Sequence, residues 1–88
     1  MKKTDVTVFV GRFNPFHKGH AHVLKQALET SKLVIVLVGS SGQARSLKNP
    51  FTFDERKEMI ENWHTSLNSF HHADKLGALR ILPIRDYP

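Results

Sequence analysis

The chain contains no cysteine, one tryptophan and one tyrosine, and its longest apolar run, Leu33 to Val38, is six residues. Without thiols there is no disulfide framework and no thiolate metal site, so stability has to come from packing. A run that short falls well below the roughly 20 apolar residues that a membrane-spanning helix needs. No signal-peptide pattern opens the sequence, so no membrane partner is expected and a cytoplasmic location fits. There is no internal repeat, no low-complexity tract and no domain linker. The 88 residues therefore read as one small domain, 1–88, with a core near the lower limit of size.

What is present is ordinary for a globular protein: 40% apolar and 24% charged residues. The formal charge of +5 points to anionic partners. Nucleic-acid binding domains of this size usually gather their cations on one helix face or ring exposed aromatics on strands. Here the cations are scattered, and those of most interest fall in loops. Nucleotide phosphates fit this distribution better than nucleic acid, which is not expected as a partner.

Two apolar runs end at glycines: Val6 to Val10 before Gly11, and Leu33 to Val38 before Gly39. Continuous runs of this kind suit strands buried on both faces, as in a parallel sheet covered by helices. Leu79 to Ile84 is a third candidate, interrupted by Pro83. Between the first two runs, from about His17 to Thr30, Val23, Leu24, Ala27 and Leu28 recur at helical spacing. Thr52 and Glu55 have the spacing of a capping box, and Phe53, Ile60, Trp63 and Leu67 mark one stripe of a following helix. Strand and helix alternate, which predicts right-handed crossovers and an α/β, Rossmann-like, three-layer parallel sheet. Ser40 to Phe51 lacks periodicity and exceeds an ordinary connection in length, so it is either a binding loop or a mobile one.

In such sheets ligands bind beyond the carboxyl ends of the strands, and here that place is Gly11 to His20. Gly11 allows a tight turn and a close backbone approach. His17 and His20 share one face of the first helical turn, where the helix dipole and free N–H groups attract anions. Gly19 keeps that face clear, and Arg12 stands beside it. The plainer alternative is that the two histidines cap the helix or sit at the surface. His22 points away from both, and no carboxylate is near in sequence, so no metal site is expected.

The segment GRFNPFHKGH, Gly11 to His20, closely resembles the H-x-G-H signature of the nucleotidyltransferase superfamily. It is most similar to the nicotinamide mononucleotide adenylyltransferases of the archaeal type and to the related enzymes with a downstream Nudix hydrolase domain. Gly39-Ser40-Ser41, Lys48-Asn49-Pro50-Phe51-Thr52 and Glu55-Arg56 resemble that family's second segment, so the likeness runs over nearly the whole chain. The resemblance implies AMP transfer from ATP, accompanied by Mg²⁺, to nicotinamide mononucleotide, giving NAD and pyrophosphate.

By that resemblance His17 and His20 contact the ATP phosphates and stabilise the transition state. Gly11, Arg12 and Phe13 line the nucleotide pocket, partly through backbone groups, with Gly19 leaving room. Ser40 and Lys48 reach toward the phosphates or the mononucleotide, and Asn49 and Asp86 belong to the mononucleotide side. Plainer roles stay open: Arg45 and Lys48 as surface cations, Asn49-Pro50 as turn chemistry, Arg56 as a local ion-pairing residue beside Asp54 and Glu55. Trp63 reads as core or partner surface, and His64, His71 and His72 as surface residues.

The family's later I-S-(S/T)-T-x-x-R motif has no counterpart here. The chain is therefore expected to be the N-terminal portion of a larger enzyme, weak or inactive alone, or to self-associate as a homo-oligomer. The alternatives are an adenylyl- or cytidylyltransferase with another acceptor, such as phosphopantetheine, and a non-catalytic nucleotide-binding module.

Overall fold

The computed structural model describes residues 3–39, 50–70 and 76–85. Its elements follow in the order β1 (Thr4–Gly11), α1 (Lys18–Thr30), β2 (Ser31–Val38), α2 (Phe53–Phe70) and β3 (Ala78–Pro83). The three strands form one parallel sheet in the order β1-β2-β3. The α/β Rossmann-like architecture expected from the alternating pattern is the one found.

Local chemistry explains the helix boundaries. Helix α2 begins with the capping box foreseen in the sequence: the Glu55 amide donates to Thr52 Oγ1 at 3.2 Å and the Thr52 amide to Glu55 Oε1 at 2.9 Å. Helix α1 ends without a loop, since Thr30 is its last residue and Ser31 both caps it and opens β2. Ser31 is fully buried, with its hydroxyl hydrogen-bonded to that of Thr7. Pro83, which interrupts the third apolar run, closes β3 opposite Val38, and the Ile84 amide then donates to the Val38 carbonyl at 3.0 Å.

One face of the sheet carries the core. Val34, Val36 and Val38 of β2 are fully buried against Leu24 and Leu28 of α1 and Ile60 of α2, with Ile81 of β3 and Phe13 completing the cluster. Each such aliphatic side chain contributes about 1.5–3 kcal/mol on burial. Phe53, Trp63 and Leu67 pack around this cluster, as the helical stripe required, but Val23 of α1 is 44% exposed and lies outside it.

The other face departs from the expectation of strands buried on both sides. Val6, Val8 and Val10 of β1 are exposed, as is Leu82 of β3. The register sets Val6, Val8 and Val10 beside Leu33, Ile35 and Leu37, and these beside Ala78, Arg80 and Leu82. The cause is topological. Strands added in sequence in one direction, each through a right-handed crossover, send both helices to the same side. The described residues thus make two layers of the expected three, a sheet and the helices on one face.

The two faces predict opposite responses to one substitution. Val8→Thr is expected to change stability by no more than about 0.5 kcal/mol. Val36→Thr puts an unpartnered hydroxyl into the core and costs about 1–3 kcal/mol. Urea denaturation of the two variants measures both.

Candidate active site

The carboxyl ends of β1 and β2 are tied together where Gly39 N donates to Gly11 O at 2.8 Å. From Gly11 the chain turns through residues 12–17 into α1. Phe13 sits in the left-handed region at φ 54°, a conformation that costs a bulky residue of order 1–3 kcal/mol. Burial offsets that cost: Phe13 is 1% exposed, with ring centroids 5.7 Å from Phe9, 6.1 Å from Phe16 and 4.8 Å from His20. A Cβ on Gly11 would stand 2.8 Å from Phe13 Cζ. Gly11 therefore clears space for this ring, a different reason from the tight turn inferred in the sequence, and its φ is not positive. The Asn14–Pro15 peptide is cis.

His17 is the N-cap of α1. Its Nδ1 accepts the Gly19 amide hydrogen at 3.1 Å, and His20 Nδ1 accepts that of His17 at 3.2 Å. The two residues thus form a reciprocal capping box made of imidazoles. The plain capping role is the one the geometry shows. With Nδ1 occupied as an acceptor, the proton of each neutral ring resides on Nε2. Two amides expected to be open to an anion are capped instead. Gly19 serves this arrangement, since a Cβ there would lie 3.0 Å from His17 Cε1.

The rings stand 3.8 Å apart, centroid to centroid. Burial, and secondarily the nearby His17, push the His20 pKa below its ordinary value. Phe16 stacks on His20 at 5.9 Å and touches Trp63 of α2 at 5.4 Å, so an aromatic row links the loop to the second helix. Arg12 is exposed at the start of the loop.

Several expected site residues, Ser40, Lys48, Asn49 and Asp86, lie outside the described residues, as do Arg45, His71 and His72. His64 differs from the surface position expected of it. It is half-buried, its Nε2 has no hydrogen-bond partner among the described residues, and burial lowers its pKa.

Sequence reasoning also missed two ties between the loop and α2. Asn14 Oδ1 accepts the Phe51 amide hydrogen at 3.0 Å. Arg56, for which local ion pairing beside Asp54 and Glu55 stayed open, is 1% exposed. Its position betrays it, because 53, 56, 60, 63 and 67 fall on one helical stripe and a cation there must find buried acceptors.

Among the described residues no three His, Asp or Glu side chains are grouped to hold a metal ion, and no helix is long and apolar enough to cross a membrane.

A parallel Rossmann-like sheet with a histidine-capped turn at its carboxyl edge defines a nucleotide-handling class of fold. Residues 8–82 match the cytidylyltransferase-like family, and the chain belongs to it. Among its relatives is the nicotinamide/nicotinic acid mononucleotide adenylyltransferase of Acinetobacter baylyi, 47% identical over 68% of this chain and 32% of that protein. The nicotinamide-nucleotide adenylyltransferase of Archaeoglobus fulgidus is 38% identical over 89% of this chain and 44% of its own length. A crystal structure of a bifunctional NMN adenylyltransferase/ADP ribose pyrophosphatase from Francisella tularensis superposes with a TM-score of 0.78 at 43% identity, over 96% of this chain and 23% of that one. That Francisella enzyme has also been solved complexed with AMP and a manganese ion. The chain therefore spans less than half the length of these relatives.

Two outcomes are expected at the cap. Asparagine is among the best N-cap residues, so His17→Asn should hold stability within about 0.5 kcal/mol whereas His17→Ala loses about 1 kcal/mol, as read by chemical denaturation. His20 and His64 both have lowered pKa values in the folded chain. The unfolded chain then binds protons the folded one does not, so stability rises with pH. Their contribution is complete above about pH 6.5 and is lost as the pH falls through the lowered values. Thermal melts between about pH 7.5 and 5 should show Tm falling on the acid side, and an NMR titration should place His20 below about 6.5.

Proposed function

We propose that this chain carries the phosphate-handling segment of a nicotinamide-nucleotide adenylyltransferase, which transfers AMP from ATP to nicotinamide mononucleotide. The observation that carries the reading is the pair of rings at His17 and His20, 3.8 Å apart at the carboxyl end of β1, with both Nδ1 atoms committed to the backbone. Relatives with this activity name in both archaea and bacteria support the choice of acceptor.

In the proposed reaction a phosphate oxygen of the mononucleotide attacks the α-phosphorus of ATP. The bond from that phosphorus to the α–β bridging oxygen breaks, and pyrophosphate leaves with the electron pair. The nucleophile is already an anion, so no general base is needed. Catalysis then consists of aligning two anions and stabilising the charge that shifts onto the leaving group. The Nε2–H groups of His17 and His20 donate to phosphate oxygens. Because each Nδ1 takes a helix N-terminal amide hydrogen, the rings pass the polarity of the helix end outward. Gly11, Arg12 and Phe13 line the pocket, Phe13 through its backbone alone since its ring is buried. Gly19 gives the His17 ring its space. Ser40 and Lys48 are assigned to the phosphates, and Asn49 and Asp86 to the mononucleotide.

Magnesium enters as the ATP complex. The described groups at the loop are hydrogen donors rather than an oxygen ligand set, so the ion is carried by the triphosphate and water.

The test is a screen of phosphate acceptors with ATP and Mg²⁺, following pyrophosphate, on this chain and on the longest reading frame that contains it. Release that depends on nicotinamide mononucleotide and is absent with phosphopantetheine is expected. His17→Asn keeps the cap and removes the donor, so it should lower turnover by about 10²–10³. Unchanged turnover in that variant would remove His17 from the proposed role, and ATP binding without release for any acceptor would leave only a nucleotide-binding module.

A further inference from the structure

Arg56 lies in the first turn of α2, where its neighbours Asp54 and Glu55 suggest a solvated ion pair. It is instead the largest fully buried side chain described. Its guanidinium donates to three main-chain carbonyls: Nε to Thr52 O at 3.2 Å, and Nη1 to Arg12 O at 2.8 Å and to Gly39 O at 2.7 Å. Those carbonyls belong to three different segments. Thr52 caps α2, Arg12 follows β1, and Gly39 follows β2. Burial disfavours the charged form. The carbonyl bonds, each charge-assisted, are what compensate for that.

The consequence passes to the histidines through one residue. Arg12 O is the carbonyl just before Phe13, whose left-handed backbone and buried ring place it edge-on to His20 at 4.8 Å. The second tie, from the Phe51 amide to Asn14 Oδ1, joins the same two segments on the far side of Phe13. A lysine could not replace the arginine, because a single ammonium lacks the planar fork that reaches separated acceptors.

We propose that Arg56 is a positioning residue: it fixes the separation of the β1–α1 turn and the end of β2, and so holds the imidazole pair in its phosphate-facing arrangement. Its effect on nucleotide rests on the function proposed above; its effect on the turn does not.

The test compares wild type with Arg56→Lys and Arg56→Ala by amide hydrogen exchange and by ATP affinity. In Arg56→Lys, exchange of the Gly39 and Phe51 amides should rise by about tenfold or more, while the Val34 and Val36 amides change little. ATP affinity should fall by about tenfold. Guanidinium ion should restore affinity in part to Arg56→Ala. A uniform rise in exchange, or Arg56→Lys behaving as wild type, overturns the proposal. The wild-type chain supplies a readout that no variant's folding can obscure: resolved, slowly exchanging Arg56 side-chain N–H resonances are expected, and rapid exchange there overturns the proposal too. Should the longest reading frame that contains the chain bind no ATP, the proposed function fails, and the exchange pattern still decides the role of Arg56.

Discussion

Two imidazole rings close the start of α1 by accepting the amide hydrogens of Gly19 and His17. That acceptor duty decides which nitrogen of each ring faces outward. A histidine free to rotate could present either nitrogen in either protonation state. Here the helix itself commits each Nδ1 as an acceptor, which places a neutral ring's proton on Nε2. The neighbouring features follow from holding this pair in place. Gly19 makes room for one ring, Phe13 and Phe16 pack against the other, and Trp63 braces Phe16 from the second helix.

The support beneath the cap is a strained turn held by burial. Phe13 accepts a left-handed backbone because its ring fills the space above Gly11 at the end of β1. Arg56 holds the carbonyl before it, and Asn14 holds the residue that leads into α2. Packing on one side of the sheet thus serves the site directly, since both helices that build the core also contribute side chains to the turn. The opposite side, where Val6, Val8 and Val10 stand exposed, takes no part in it.

Much of this was legible from the residues. The alternation of apolar runs and helical stripes gave the element order, and the Thr52–Glu55 spacing gave the start of α2 to within a residue. His17 and His20 at a helix start were legible as a pair. What they do to the backbone was not, because imidazoles are uncommon in a spacing usually filled by Ser or Thr with Glu. A run such as VTVFV says that a strand is apolar but not which of its faces is covered. That depends on the direction in which later strands are added. Arg56 was hidden for a related reason: adjacent acidic residues in a first turn look like partners, although i and i+1 do not face each other on a helix. Gly11 and Gly19 were recognised as necessary, and the protein atoms nearest a Cβ at each belong to the rings of Phe13 and His17.

The junction between α1 and β2 has no connecting residue. Helix and strand are consequently one mechanical piece, with the imidazoles at one end and the β2 pairing seam at the other. A loop would absorb a small shift of the helix; a direct junction hands it to the sheet. The same junction is intolerant of length change. One inserted residue would turn the helix by about 100° relative to the strand, or else slip the strand so that Val34, Val36 and Val38 changed faces.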